Sequence, residues 1–198
     1  MTEDSVSRRA FLKSLSIGAA VGSVLRVIPL QAAEYAHGLI DSEKSGGQAD
    51  YVPKFFDPHQ YKTLQSLCET ILPADADSGG AIEAGAPEFI DLLTSENTVY
   101  QKTLGDGLKW LEVSCTKRYG KAYLDITPQQ QKEILDLIAW RKNADQDDSL
   151  REPVDFFSFL RNFTADGFFT SKIGIKYLGY KGNTFLTEFP GCPPVPGI

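Results

Sequence analysis

Metal-ligating and redox-active side chains are scarce in this 198-residue chain, which holds 2 histidines, 3 cysteines and 1 methionine. His37 and His59 are too far apart in sequence to give ligand spacing. Cys68, Cys115 and Cys192 form no Cys-x-x-Cys pair, which excludes haem-attachment, iron–sulfur and thioredoxin-type motifs. A basic excess is missing as well: the formal net charge is −6, so the basic face that nucleic-acid binding requires is not there. No Gly-x-Gly-x-x-Gly follows a strand pattern and no Gly-x-Ser-x-Gly elbow exists, which removes the dinucleotide fingerprint and the hydrolase elbow. Asp91, Asp106, Asp136, Asp155 and Asp166 supply carboxylates without a pairing that marks an acid/base site. The apolar run from Leu15 to Leu25 is about 11 residues before Arg26 interrupts it, against the roughly 20 a spanning helix needs.

What is present is concentrated at the two ends. Ser7-Arg8-Arg9-Ala10-Phe11-Leu12-Lys13 matches the bacterial twin-arginine (Tat) export signal at every defined position, with Arg8, Arg9, Phe11, Leu12 and Lys13 as its readable residues. A receptor reads such a signal as an address, and it does not anchor the chain in a membrane. The apolar run that follows fits the h-region of a leader, so residues 1–33 read as a signal peptide. Pro29-Leu30-Gln31-Ala32-Ala33 offers small residues, leaving a cut after Ala32, a cut after Ala33 or a retained leader as alternatives. The leader takes four basic and two acidic side chains with it, and the remainder has 16 basic and 24 acidic groups, a formal charge of −8. That balance suits a periplasmic protein. The Tat route carries folded proteins, usually because a cofactor was loaded in the cytoplasm, yet this chain has no recognisable cofactor motif of its own.

Between the ends the pattern is helical. Residues 34–53, with Gly38, Ser42, Ser45, Gly46 and Gly47, read as a flexible linker. Residues 54–198 read as one helical domain, which about 165 mature residues can support with a single core. Asp57-Pro58 starts a helix whose Tyr61, Leu64, Leu67, Cys68, Ile71 and Leu72 recur by three and four until Pro73 stops it. A loop to Ala86 carries Asp75, Asp77, Gly79, Gly80 and Glu83; the acids are calcium ligands in one reading and turn formers in the other. A short helix follows Pro87, and a longer one runs from about Asn97 to Tyr119, closed by Gly120. Thr127-Pro128-Gln129-Gln130 is a capping box. The polar run Asn143 to Asp148 reads as a solvated loop, and Phe156, Phe157, Leu160 and Phe163 give the last core face. The fold class is all-α, a small irregular bundle with an extended C-terminal arm rich in Gly, Pro and aromatics.

That arm carries Tyr177, Tyr180, Phe185 and Phe189 in a stretch too rich in Gly and Pro to bury them on one regular element. Its aromatics are partner-interface candidates, with an arm wrapped on its own domain as the alternative. Cys192, between Gly191 and Pro193, pairs either with a partner chain or with Cys68 or Cys115. His59 is a general base or a structural side chain at a helix start.

Several segments together resemble the gluconate 2-dehydrogenase subunit 3 family, the small subunit of flavin-dependent sugar dehydrogenases. They are the leader Arg8 to Lys13, Leu67-Cys68-Glu69-Thr70-Ile71-Leu72-Pro73-Ala74-Asp75, Glu83-Ala84-Gly85-Ala86-Pro87-Glu88-Phe89-Ile90-Asp91 and Thr164-Ala165-Asp166-Gly167-Phe168-Phe169-Thr170-Ser171. Gly179-Tyr180-Lys181-Gly182-Asn183 and Pro190-Gly191-Cys192-Pro193 complete the set. The resemblance implies an accessory, non-catalytic chain that binds a large glucose–methanol–choline-type flavoprotein holding FAD. It implies electron transfer onward to a cytochrome c subunit with haem c, and it supplies no catalytic or cofactor-binding residue here. A stable heterodimer formed before export, escorted by this chain's signal to the Tat translocase, is the expectation. The rival readings are a stand-alone Tat-exported enzyme, with an unrecognised cofactor at the Asp75–Glu83 loop, and a periplasmic binding module without a redox partner.

Overall fold

The computed structural model describes residues 30–45, 51–180 and 182. Among them are eight α-helices and two short 3-10 turns. The α-helices are α1 Leu30–Ser45, α2 Pro58–Ile71, α3 Ala86–Ser95, α4 Thr98–Tyr119, α5 Pro128–Ile138, α6 Arg141–Gln146, α7 Arg151–Phe169 and α8 Lys172–Tyr177. The 3-10 turns are Tyr123–Asp125 and Asp148–Leu150. The all-α bundle expected from the sequence is the observed class.

Local chemistry explains most boundaries. The Asp57 carboxylate accepts from the backbone N–H groups of His59 and Gln60, and the Gln60 side chain answers the Asp57 N–H, so α2 opens on a complete capping box. Thr127 and Gln130 do the same for α5, each with proline in the first turn. Asn97 caps α4 and Gly120, at φ 72°, ends it in the left-handed conformation that glycine adopts without steric cost.

Short α3 is the hub. Every residue from Ala86 to Thr94 is buried. It packs against α1, α2, α4 and α7, while α5 and α6 lie on α7. The aromatic face of α7 fills the centre: Phe163 stacks edge-on to Tyr100 and to Phe89, with Phe159 beside both Tyr100 and Phe163. Two glycines permit these approaches. A methyl at Gly167 would lie 3.1 Å from Ala86 and Phe89 on α3. At Gly107 on α4 the space is taken by the Phe156 ring, so that glycine admits a side chain rather than another backbone.

Two expectations are corrected. The linker expected over 34–53 is instead α1 as far as Ser45, and 51–56 is a segment pinned to α3; residues 46–50 lie outside the described residues. Its Gly and Ser content concealed an apolar stripe, Ala33, Ala36 and Ile40, that is buried in the same hydrophobic cluster as the rest of the core. The polar run from Asn143 is also not a loop: it forms most of α6 and leads into the second 3-10 turn. There the Asn143 amide donates to the Asp136 and Leu137 carbonyls at the end of α5, turning the chain at once into a new helix.

Candidate functional site

Two regions stand out by geometry. The first is where the N-terminal segments are fastened to α3. Asp91 is fully buried, and its carboxylate accepts four hydrogen bonds from the segment before α2. The Lys54 N–H is 2.6 Å and the Tyr51 hydroxyl 2.9 Å from Oδ2; the Phe55 and Phe56 N–H groups are 3.1 and 3.0 Å from Oδ1. One turn earlier, Glu88 accepts from the Lys44 ammonium at 2.9 Å, tying down the end of α1. Two acids three residues apart on an otherwise apolar helix thus hold two separate incoming segments. They stand in the Ala-Pro-Glu-Phe-Ile-Asp stretch already noted in the sequence. Their roles were not readable there, because their partners lie 35 to 44 residues away.

Helix α1 has further ties. The His37 ring lies nearly parallel to Phe89, centroids 5.0 Å apart, and its Nε2 is 3.0 Å from Thr170 Oγ1. The Thr170 hydroxyl donates to the Asp166 carbonyl at 2.6 Å, so its oxygen is the acceptor for the imidazole N–H. Burial pushes the His37 pKa below its ordinary value and outweighs the opposing attraction of Asp41. Lys172, at the start of α8, reaches Asp41 at 2.7 Å. These groups line a cleft of about 500 Å³ between α1 and α8.

The second region is the end of α8. Tyr177, Leu178 and Tyr180 are 52 %, 59 % and 50 % exposed, and Phe169 39 %. Ser171 caps this helix through the Gly174 N–H, and Phe168 meets Tyr177 and Phe169 edge-on, so the buried ring supports the exposed ones. Of the interface candidates, Tyr177 and Tyr180 are half-exposed side chains. Phe185, Phe189 and Cys192 lie outside the described residues, as do Arg8, Arg9, Phe11, Leu12 and Lys13. Leu178 and Phe169 were not singled out from sequence, although they belong to the same aromatic run.

The remaining candidates have structural positions. Cys68 and Cys115 are free, buried thiols. Burial pushes them up to about 12 and about 11, far from a reactive thiolate at neutral pH. His59 Nε2 sits 3.0 Å from Glu112, whose other oxygen accepts from the Tyr123 N–H, so the pair ties α2 to α4 and to the first 3-10 turn. Asp75 accepts from the Asp77 and Ser78 N–H groups, which hold its carboxyl below the usual carboxylate range, and it forms a turn. Asp166, half-buried on α7, is raised to about 6 by burial.

The family model described as gluconate 2-dehydrogenase subunit 3 matches residues 58–191. No curated protein and no solved structure matches the chain. The match starts at the first residue of α2, so α1 and the 51–56 segment precede it while their anchors Glu88 and Asp91 fall inside it. The matched span covers well over half of the sequence, and the chain belongs to the gluconate 2-dehydrogenase subunit 3 family.

Proposed function

We propose that this chain is the non-catalytic small subunit of a periplasmic, FAD-dependent dehydrogenase of the glucose–methanol–choline type that oxidises a sugar or glycoside. Its work is to supply the twin-arginine signal for the complex and to support folding of the catalytic chain. FAD belongs to that larger partner, and a cytochrome c subunit with haem c accepts the electrons. The observation that carries this reading is the pairing of a Tat-type leader, Ser7 to Lys13, with membership of a family described as a dehydrogenase subunit. Tat export of a chain without a cofactor motif makes sense when a folded, cofactor-loaded partner travels with it.

Two features support the reading. Buried thiols with raised pKa and an imidazole engaged by Thr170 are poor catalytic groups, which suits an accessory role. The aromatic end of α8 is of the residue type that interfaces use, and it continues in sequence into Phe185, Phe189 and Cys192, the proposed remainder of the contact. Cys192 forms a disulfide with the partner in this scheme, since Cys68 and Cys115 are free thiols buried in the core, away from any other chain.

Affinity purification of the full chain from its native host, followed by mass spectrometry and a flavin absorbance spectrum, tests the reading. The expected result is co-purification of one large flavoprotein with dehydrogenase activity, while the chain purified alone shows neither flavin nor turnover. Turnover by the isolated chain would refute it.

A further inference from the structure

Leader-trimming proteases bind their substrate as an extended segment, because they pair with backbone N–H and C=O groups on both sides of the cut. A helix with buried side chains offers neither the shape nor the groups. The bonds after Ala32 and Ala33, which composition marks for cleavage, lie in just such a place. Both residues sit in the first turn of α1, Ala32 nearly and Ala33 completely removed from solvent. Ala36 and Ile40 continue the same buried face. Beyond this face, α1 is held at three points along its length: His37 on Phe89 and Thr170, Asp41 to Lys172, and Lys44 to Glu88. Cutting after Ala33 would take away the opening turn with its two buried methyl groups. Cutting after Ala32 would set a new charged amino terminus on the fully buried Ala33, at a cost that exposed leaders do not meet.

We infer that α1 is a permanent part of the mature protein, and that folding closes the bonds after Ala32 and Ala33 to leader processing, so that any cut falls before Leu30. The inference deepens the export reading and rests on it for the presence of a leader; the burial that closes these two bonds is independent of it. A passenger that crosses the membrane folded carries α1 already docked.

Two measurements test this. The full-length chain, purified from the cytoplasm, is treated with elastase, which cuts after small residues, and the fragments are read by mass. The native protein is expected to resist cleavage after Ala32 and Ala33. The Ala36→Glu variant, which drives a charge into the docked face, is expected to be cut there at least about tenfold faster, because cleavage follows the population of the open form. Circular dichroism confirms that the variant keeps the rest of the bundle, and Ile40→Ala serves the same purpose if it does not. Native and undocked proteins cut at equal rates would overturn the inference. The intact mass of material from the periplasm is expected to retain Leu30, and an amino terminus at Ala33 or Glu34 would also overturn it. Absence of the chain from the periplasm, with elastase protection intact, counts against the export reading and leaves the closed bonds standing.

Discussion

Helices α1 and α3 lie against each other yet are held by different forces. Helix α3 buries every residue from Ala86 to Thr94, including Phe89, Ile90, Leu92 and Leu93. Burial of each such large side chain contributes about 1.5–3 kcal/mol. Helix α1 buries three alanines and one isoleucine, packs the partly buried Tyr35 and Leu39 against the core, and adds hydrogen bonds and ion pairs from His37, Asp41 and Lys44. Half-exposed ion pairs are individually weak and screened by salt. The contrast teaches that the bundle behind the family match stands on apolar packing. Helix α1, which precedes the matched span, is docked by a small apolar face together with polar contacts that solution conditions can adjust.

Asp91 is where the comparison is most open to attack, since it belongs to α3 but serves the incoming segment. Asp91→Ala strips partners from three backbone N–H groups and the Tyr51 hydroxyl, and is expected to cost about 3–5 kcal/mol in urea unfolding. A cost below about 1 kcal/mol would mean that residues 51–56 are not part of the cooperative unit.

Packing in the core is tested next, by a pair of glycines two residues apart on α4. Gly107→Ala meets the Phe156 ring and is expected to destabilise by about 1–3 kcal/mol despite alanine's better helix propensity. Gly105→Ala, whose nearest neighbour is Phe55 at 4.0 Å, is expected to stabilise by about 0.5–1 kcal/mol. Thermal unfolding of the two variants side by side reads the difference.

Acidification sharpens the contrast with the smallest effect. His37 has a folded pKa below its unfolded value near 6.5, so the unfolded or undocked form binds more protons. Docking of α1 is therefore fully supported above about 6.5 and weakens as pH falls through that value towards the lower folded one. Asp166 works the other way. Raised from 3.8 to about 6, it keeps its proton better in the folded state, so its burial penalty fades as pH falls through that window. Hydrogen-exchange protection at pH 7 and pH 5 is expected to fall in α1 and hold in α7. His37→Gln is expected to remove the α1 trend.

The sequence was most legible where the chain punctuates itself. Asp57-Pro58, Asn97, Thr127-Pro128 and Gly120 each mark a boundary through local hydrogen bonding or a single φ angle, and each stands where expected. Helix α1 was hidden because its buried stripe is mostly alanine, which composition cannot tell from a linker. The start of α6 was hidden because its turn depends on Asn143 reaching back to α5. Glu88 and Asp91 were visible as members of a recognisable stretch, but their partners are distant in sequence and no periodicity connects them. At the end of α8 the sequence left open whether Tyr177 and Tyr180 meet a partner or wrap their own domain, and the short helix capped by Ser171 was not expected in a stretch so rich in glycine. The exposure of Phe169 and Leu178 beside them follows from the way α7 and α8 meet at Ser171.

In the proposed function this chain carries a folded flavoprotein across the membrane. Co-expressing the two subunits with Arg8→Lys and Arg9→Lys in the leader, then assaying dehydrogenase activity in periplasm and cytoplasm, tests it most directly. The account predicts an active, FAD-loaded complex stranded in the cytoplasm, with its two chains still bound to each other. A flavoprotein that reaches the periplasm at its normal level without this signal would contradict it.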